Sequence, residues 1–239
     1  MSELVWLDPH GYQFPPVEQA LVEPDGLLAV GGDLSIGRLL AAYSTGIFPW
    51  YEQGQPLLWW SPDPRAVIKP ENVRIHRSLL KRLRKKEFVV QVDTAFEQVL
   101  DFCQAPRSYS SETWITDEMK SAYVALHQAG FAHSIECYRD EELVGGLYGV
   151  SIGALFFGES MFNRATDASK VAFVHLCRLM EKNHCPLIDC QIPNPHIMTL
   201  GVESISRPEF ITYLSKNNAL APDQGIDWQA LRGELDLDF

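Results

Sequence analysis

Apolar residues recur at helical spacing in several stretches of the chain, and residues that start or stop helices bound them. Ser35 and Gly46 bound the first stretch, and Thr94 stands where it could cap another. Asp117 and Glu118 fall in the first turn of a third, where negative charge suits the helix dipole. The predicted helices are SIGRLLAAYSTG, HRSLLKRLRKK, TAFEQVLDFCQ, DEMKSAYVALHQAG, ASKVAFVHLCRLMEKN and RPEFITYLSKN.

Between these helices lie short apolar segments bounded by turn residues, which is typical of strands. The predicted strands are FVVQV, HSIECYR, LVGGLYGVS, GALFFGESMF and PLIDCQ. The second, third and fourth follow one another across the turns RDEE and SIG, so we predict an antiparallel meander. The order of helix, meander, helix and strand indicates an α+β fold, with a mixed sheet and helices on its faces.

The first sixty residues differ from the rest, because they are rich in turn formers and large aromatic side chains. The proline-rich segment WWSPDPRAVIKP follows them and is the best domain boundary in the chain. We therefore expect a small N-terminal domain over residues 1–63 and a larger domain over residues 64–239.

Composition narrows the class of protein. The 239 residues are 46% hydrophobic and 21% charged, which is a globular and not a disordered composition. No apolar stretch approaches the roughly 20 residues that cross a bilayer, and the start MSELVWLDPH does not resemble an export signal. The five cysteines are odd in number and show no C-x-x-C pair, which favours a reducing compartment. We therefore expect a cytoplasmic protein with no membrane partner.

Charge is distributed unevenly along the chain. The formal net charge is −11, which on average repels nucleic acid, yet basic residues cluster in one predicted helix. Trp50 and Trp114 fall in loops, where a flat ring can stack on a base. Core packing is the ordinary alternative for any Trp, and it is the one we favour for Trp59 and Trp60. Together these features suggest contact with single-stranded RNA or a terminal nucleotide. The basic cluster comprises Arg74, Arg77, Lys81, Arg82, Arg84, Lys85 and Lys86.

Two polar pairs stand out on the predicted strands. Alternation places Asp189 and Gln191 on one face of LIDCQ, where they could share a target; the plainer alternative is an Asp that caps the following turn. Glu159 and Met161 likewise share a face, which suits a pocket for an apolar side chain and an ammonium group. Glu159 could instead pair with a nearby basic residue, Arg164 or Lys170.

Several common chemistries lack support in the sequence. The glycines of GGLYG do not follow the G-x-G-x-x-G spacing of dinucleotide sites. The histidines and cysteines form no cluster with zinc spacing, so we expect no metal. A nucleophile elbow is not predicted either, because the G-x-S-x-G spacing at GVSIG (residues 149–153) falls at a turn between two predicted strands and not between a strand and a helix.

Longer strings resemble one family. The chain is similar to leucyl/phenylalanyl-tRNA–protein transferases from about residue 10 to residue 215, in order and at near-family spacing. The strings that carry the resemblance are EPDGLLAVGGDLS, GIFPWY, LWWSPDPRAV, TWIT, HSIE, ELVGGLYGV, FGESMFNRATDASK and LIDCQIPNPH.

The resemblance implies a bacterial cytoplasmic enzyme of the N-end rule pathway, with a small N-terminal α/β module and a GNAT-like acyltransferase domain. Such an enzyme moves Leu or Phe from Leu-tRNA or Phe-tRNA to the N-terminal Arg or Lys of an acceptor protein, which marks that protein for degradation. Methionine as a donor stays open. The resemblance implies no cofactor: coenzyme A, ATP and metal are not needed. We expect a monomer.

The resemblance also implies roles for individual residues. Asp189 and Gln191 match the catalytic pair, and we expect Asp189 to hold Gln191 while the amide oxygen of Gln191 draws a proton from the attacking amine. The final proton acceptor stays open among Asp189, water and the departing ribose hydroxyl. Trp50 and Trp114 match positions that bracket the terminal adenosine. The donor side-chain pocket matches Leu147 and Met161 with Glu159 beside them; Leu176 and Met180 stand where relatives carry Phe. Contacts to tRNA phosphates are expected from Arg77, Lys81, Arg82, Arg84 and Lys85.

Without the resemblance, two other classes fit the residues. A coenzyme A-dependent acyltransferase would need a glycine-rich phosphate turn, and only FNRATDAS stands in that place. A non-catalytic RNA-binding module would use the basic helix and the tryptophans but gives Asp189 and Gln191 no role.

Overall fold

The computed structural model describes residues 4–105, 115–221 and 224–239. Within these ranges the strands are β1 (Val5–Leu7), β2 (Leu27–Gly31), β3 (Phe48–Pro49), β4 (Leu58–Trp60), β5 (Arg65–Ile68), β6 (Val89–Val92), β7 (Ala132–Arg139), β8 (Glu142–Ile152), β9 (Leu155–Asn163), β10 (Ile188–Gln191), β11 (Glu203–Ile205) and β12 (Gly233–Glu234). The α-helices are α1 (Ile36–Ser44), α2 (Arg77–Arg84), α3 (Phe96–Gln104), α4 (Asp117–Gln128), α5 (Ala168–Lys182), α6 (Pro195–Met198), α7 (Arg207–Asn218) and α8 (Trp228–Leu231).

The strands form two sheets. A small sheet in the order β1-β2-β4-β3 uses residues from the first part of the chain, and β1 runs parallel to β2. A large sheet follows the order β11-β5-β10-β9-β8-β7-β6-β12. Its pairs are antiparallel except for β9 and β10, which run parallel. The expected α+β architecture with a mixed sheet and an antiparallel meander, β7-β8-β9, is confirmed.

Alternation along the strands gives the large sheet two apolar faces. On β8, Leu147 belongs to the cluster with α2 and α5, whereas Tyr148 belongs to the cluster with α3, α4 and the small sheet. The second cluster also contains Tyr43 of α1 and Phe157 of β9. The N-terminal segment and the large sheet therefore share one core, while the strands of the two sheets divide at the proline-rich segment, between β4 and β5.

Helix starts follow the predicted chemistry with one exception. Ser35 caps α1 and Thr116 caps α4 through side-chain oxygens that accept backbone N–H bonds. The expected cap at Thr94 is wrong: α3 begins after Ala95 without a side-chain cap. The Thr94 hydroxyl instead donates to Gln91 and Glu136, because these acceptors lie on the neighbouring strands β6 and β7.

No helix among the described residues is long and apolar enough to cross a membrane.

Candidate active site

The one parallel pair of the large sheet brings two polar side chains together. Asp189 of β10 is in register with Phe157 of β9, so Gln191 and Glu159 both lie two residues further along their strands. The Gln191 amide Nε2 donates to the Glu159 carboxylate at 2.8 Å. Gln191 is the last residue of β10, whereas β9 continues to Asn163, so this pair lies where the pairing of the two strands stops.

Asp189 is buried, and its carboxylate is held by a cation. Its two oxygens accept bonds from Arg65 Nε at 2.9 Å and Nη2 at 2.7 Å, a bidentate pair with both side chains almost fully buried. Removing one partner of such a buried pair leaves an uncompensated charge and costs about 3–5 kcal/mol. Asp189 is therefore firmly fixed in place.

Gln191 has an unusual backbone. The pairing of β10 with β5 shifts register between Asp189 and Gln191, and Gln191 has a φ of +62°. Its N–H donates to Asp189 Oδ1 at 2.8 Å, so the aspartate holds the bulge. Asp189 thus contacts the Gln191 backbone, and it is Glu159 that fixes the Gln191 side chain. We expected Asp189 to hold Gln191, and in the structure it does so through the backbone N–H, whereas the side-chain amide bonds Glu159 on β9.

Glu159 is the centre of a hydrogen-bond network. The Tyr43 hydroxyl donates to it at 2.7 Å and the Tyr123 hydroxyl at 2.8 Å, and these two hydroxyls lie 2.6 Å apart. Burial raises the pKa of Glu159 to about 7, although the tyrosine bonds oppose that shift. The alternative pairing of Glu159 with a nearby basic residue is wrong at Lys170, whose ammonium pairs with Asp167.

A cavity of about 210 Å³ opens beside Glu159. Its walls include the sequence-predicted Leu147, Met161 and Leu176, and Cys190 adds a thiol on the strand face opposite Asp189. The structure places Met180 elsewhere, fully buried in the core beneath α5. The other lining residues are Tyr148, Gly158, Ser160, Phe173, Ile188, Asn194 and Ile197. An apolar wall with one carboxylate at its edge can hold an amino acid with an apolar side chain.

The tryptophans differ in exposure. Trp50 is 40% exposed, and its carbonyl accepts the Trp60 indole N–H at 2.6 Å, which pins the backbone beneath an accessible ring. Trp59 is fully buried, as predicted for a core residue, and its indole donates to Gly31. Trp114, predicted to bracket the adenosine with Trp50, lies outside the described residues.

The basic helix α2 buries Leu79 and Leu83 and turns charged residues outward. Arg82 differs from the others, because its guanidinium pairs with Glu87 at 2.6 Å and Asp167 at 3.1 Å. Arg84 donates to the Phe239 carbonyl. The exposed predicted RNA contacts on and beside this helix are Arg77, Lys81, Arg84 and Lys85.

One cluster of potential metal ligands occurs among the described residues. Atoms of Asp93, His127 and His133 lie within 4.8 Å of one another. These side chains already make hydrogen bonds to one another or to the backbone: His133 Nδ1 bonds Asp93 at 2.6 Å, and His127 Nδ1 bonds the Ala132 carbonyl at 2.7 Å. Hydrogen bonding accounts for this cluster without an ion.

Sequence reasoning missed Arg65, Tyr43 and Tyr123. Arg65 follows the proline-rich boundary, and an Arg among the apolar residues of a short strand was a signal that it needs a buried anion. The tyrosines lie on helices at apolar positions, where pattern alone indicates core packing.

Comparisons with known proteins define a transferase that works with aminoacyl-tRNA. Residues 67–215 match the family described as leucyl/phenylalanyl-tRNA protein transferase, and residues 32–63 match the N-terminal domain of the same family. The chain belongs to this family, and it is an aminoacyltransferase.

Individual relatives agree. A leucyl/phenylalanyl-tRNA–protein transferase of Pseudomonas entomophila is 52% identical over 94% of this chain and 99% of its own length. One from Nitrosomonas europaea is 54% identical over 90% of this chain and 91% of its own length. Among solved structures, a GCN5-related N-acetyltransferase from Kribbella flavida matches with a TM-score of 0.41 and 9% identity, over 72% of this chain and 61% of that one.

Proposed function

We propose that this enzyme transfers Leu or Phe, and Met as a third donor, from tRNA to the N-terminal Arg or Lys of an acceptor protein. The product carries a new N-terminal residue that marks it for degradation in the bacterial cytoplasm, and the enzyme acts as a monomer. One observation carries the proposal: Glu159 lines an apolar cavity and accepts a hydrogen bond from Gln191, the last residue of β10.

The reaction needs no external energy source. The acceptor's α-amine nitrogen attacks the ester carbonyl carbon of the aminoacyl-tRNA, so that a C–N bond forms and the bond to the ribose oxygen breaks. The amine loses a proton, and the ribose oxygen leaves as a hydroxyl by gaining one. Because the ester already has a good leaving group, positioning of the two substrates supplies much of the acceleration.

The orientation of Gln191 suits the attacking amine. In its charged form Glu159 only accepts hydrogen bonds, so its bond from Gln191 Nε2 fixes the amide nitrogen on that side. The amide oxygen of Gln191 is then free to accept an N–H from the acceptor's amine. That hydrogen bond would turn the lone pair of the amine nitrogen toward the ester carbonyl. An amide oxygen is a weak base, so Gln191 orients the amine and the proton passes on to another acceptor.

The cavity would receive the donor side chain. Leu147, Met161 and Leu176 form apolar walls, which favour Leu and Phe over polar side chains by burial. A methylene changes discrimination by only about 1–3 kcal/mol, so we expect imperfect specificity. Glu159, at the edge of this cavity, is placed to hold the donor's ammonium group.

The tRNA would be held outside the cavity. Trp50 offers an exposed face for the terminal adenine, and stacking contributes about 1–3 kcal/mol per base. Trp114 is proposed as the second face. Arg77, Lys81, Arg82, Arg84 and Lys85 would contact phosphates without reading sequence.

A transfer assay tests the function. Radiolabelled Leu-tRNA is mixed with a peptide that begins with Arg, and we expect label in the peptide with the wild-type enzyme. The same peptide with an acetylated N-terminus should stay unlabelled, because it lacks the attacking amine. Label that appears equally in both peptides would rule out the proposed acceptor.

The assay also tests Gln191. Gln191→Met keeps the side-chain length but loses the amide, so kcat should fall about 100-fold while KM for Leu-tRNA changes little. Gln229→Met, an exposed change on α8, serves as the control. A Gln191→Met enzyme that is as fast as this control would remove Gln191 from the mechanism.

A further inference from the structure

Arg65 is an arginine that water hardly reaches. It is 1% exposed, and its Nη1 donates to the Gly46 carbonyl at 3.0 Å while its other nitrogens hold Asp189. Its guanidinium carbon lies 4.8 Å from the Phe48 ring centroid and 4.7 Å from that of Phe210. Two rings, a carbonyl and a carboxylate therefore fix every part of this group.

The carboxylate that Arg65 holds has little capacity left. Asp189 Oδ1 accepts from Arg65 Nε and from the Gln191 N–H, and Oδ2 accepts from Arg65 Nη2. Three of the roughly four acceptor positions of this carboxylate are thus occupied, in a site that is 2% exposed. The bonds that Asp189 makes are those of an anchor.

What Asp189 anchors is the strained bulge of Gln191. A φ of +62° is unfavourable for a residue with a side chain, and an aspartate that accepts the N–H two residues on is the usual way to hold such a turn. The direction of the Gln191 amide depends on this bulge. A carboxylate that rotated about its own χ angles would let the bulge relax, and Arg65 prevents that rotation.

We propose that Arg65 is a positioning residue for aminoacyl transfer: it locks Asp189, and Asp189 holds the Gln191 backbone so that the amide faces the amine. Asp189 is then an anchor and not the final proton acceptor. This inference rests on the proposed function.

Two comparisons of variants test it by steady-state transfer of Leu to an Arg peptide. Arg65→Lys keeps the charge but cannot hold both carboxylate oxygens and the Gly46 carbonyl together, so kcat should fall about 10- to 100-fold. KM for Leu-tRNA should stay within about threefold, because the Trp50 ring and the basic helix are untouched. Rates are normalised to the folded fraction from circular dichroism.

The second comparison, at position 189, distinguishes an anchor of the Gln191 backbone from a proton acceptor. Asparagine at position 189 can still accept the Gln191 N–H through its oxygen, whereas alanine cannot. Asp189→Asn should therefore retain at least about tenfold more activity than Asp189→Ala. A proton acceptor would lose its function equally in both.

The control is Arg139→Lys, which alters a guanidinium 4.6 Å from the Phe88 ring at an exposed position outside the site. Folded Arg65→Lys enzyme with the kcat of this control would overturn the positioning role, and so would equal losses in Asp189→Asn and Asp189→Ala. If the wild-type enzyme itself fails to label the peptide, the proposed function fails instead.

Discussion

Glu136 and Glu159 both lie on the large sheet in surroundings that disfavour their charged form. Burial raises the pKa of each to about 7, and both are bonded by hydroxyl groups. Glu159 takes part in the proposed chemistry. Because its carboxyl group titrates near neutrality, the negative charge that would bind the donor's ammonium group depends on pH. Glu136 lies on β7 outside the site, so it offers a separate test of what burial does.

Glu136→Gln should change how stability depends on pH. The pKa of Glu136 in the folded protein is above the ordinary value near 4.5, so binding of its proton favours the folded state. This stabilisation is complete below about pH 4.5 and is lost as the pH rises through about 7. The wild type should thus lose up to about 3 kcal/mol relative to the variant between pH 5 and pH 8. Urea unfolding of both proteins at each pH measures this difference.

An exposed glutamate provides the comparison. Glu142→Gln at the start of β8 should leave the pH dependence of the wild type unchanged. Parallel stability curves for the wild type and Glu136→Gln would show that burial does not shift the titration of Glu136.

Helix α5 forms one wall of the cavity, and it does so with only part of its length. Phe173 and Leu176 face the space beside β9, whereas Met180, one turn further, is packed in the core. In the proposed donor pocket the side chain at 176 would therefore set the available depth, while changes at 180 should act first on stability.

Leu176→Phe should shift donor preference. The added ring fills part of a space of about 210 Å³, so kcat/KM for Phe-tRNA should fall about tenfold more than kcat/KM for Leu-tRNA. Leu176→Ala should move the ratio in the opposite direction. Competition between the two charged tRNAs measures the ratio directly, and a ratio that neither variant changes would place the donor side chain elsewhere.

Elements were predictable where they were long and periodic. The helices and the meander follow from apolar spacing, because each buries one face. Most strands of two to four residues, such as β3, β5 and β12, were missed, since they depend on distant partners and not on local pattern. The meeting of Glu159 and Gln191 needed the parallel pairing of β9 and β10, which spacing within one strand does not reveal.

The resemblance supplied what pattern could not. Residue types alone left Asp189 as either a cap or a catalytic group, and similarity to the family gave the pair its expected role. Similarity did not reveal how the two residues are held, because Arg65 reaches Asp189 across 124 positions of sequence.

The whole molecule combines an overall negative charge with one basic edge. At a net charge of −11, the proposed contact through α2 would attract tRNA locally while the rest of the surface repels it, which would restrict the orientations in which it can dock. The small sheet and the large sheet share a core.

Lys81→Ala combined with Arg84→Ala should raise KM for Leu-tRNA and flatten its dependence on salt, by about one unit of slope for each lost phosphate contact. Arg82→Ala is the matched control, because Glu87 and Asp167 already neutralise that guanidinium, and its effect should be smaller. Titration of binding at several salt concentrations measures both. An unchanged slope in the double variant would remove α2 from the RNA footprint.

The left-handed backbone at Gln191 also limits what evolution or engineering can do at this position. Glycine and asparagine tolerate that conformation best, yet neither has an amide that reaches as far as glutamine's. A saturation library at position 191 should therefore sort into two groups that hardly overlap. One group would contain well-folded proteins with little activity. The other would contain glutamine and its nearest chemical mimics, which are active although the left-handed backbone is unfavourable for them.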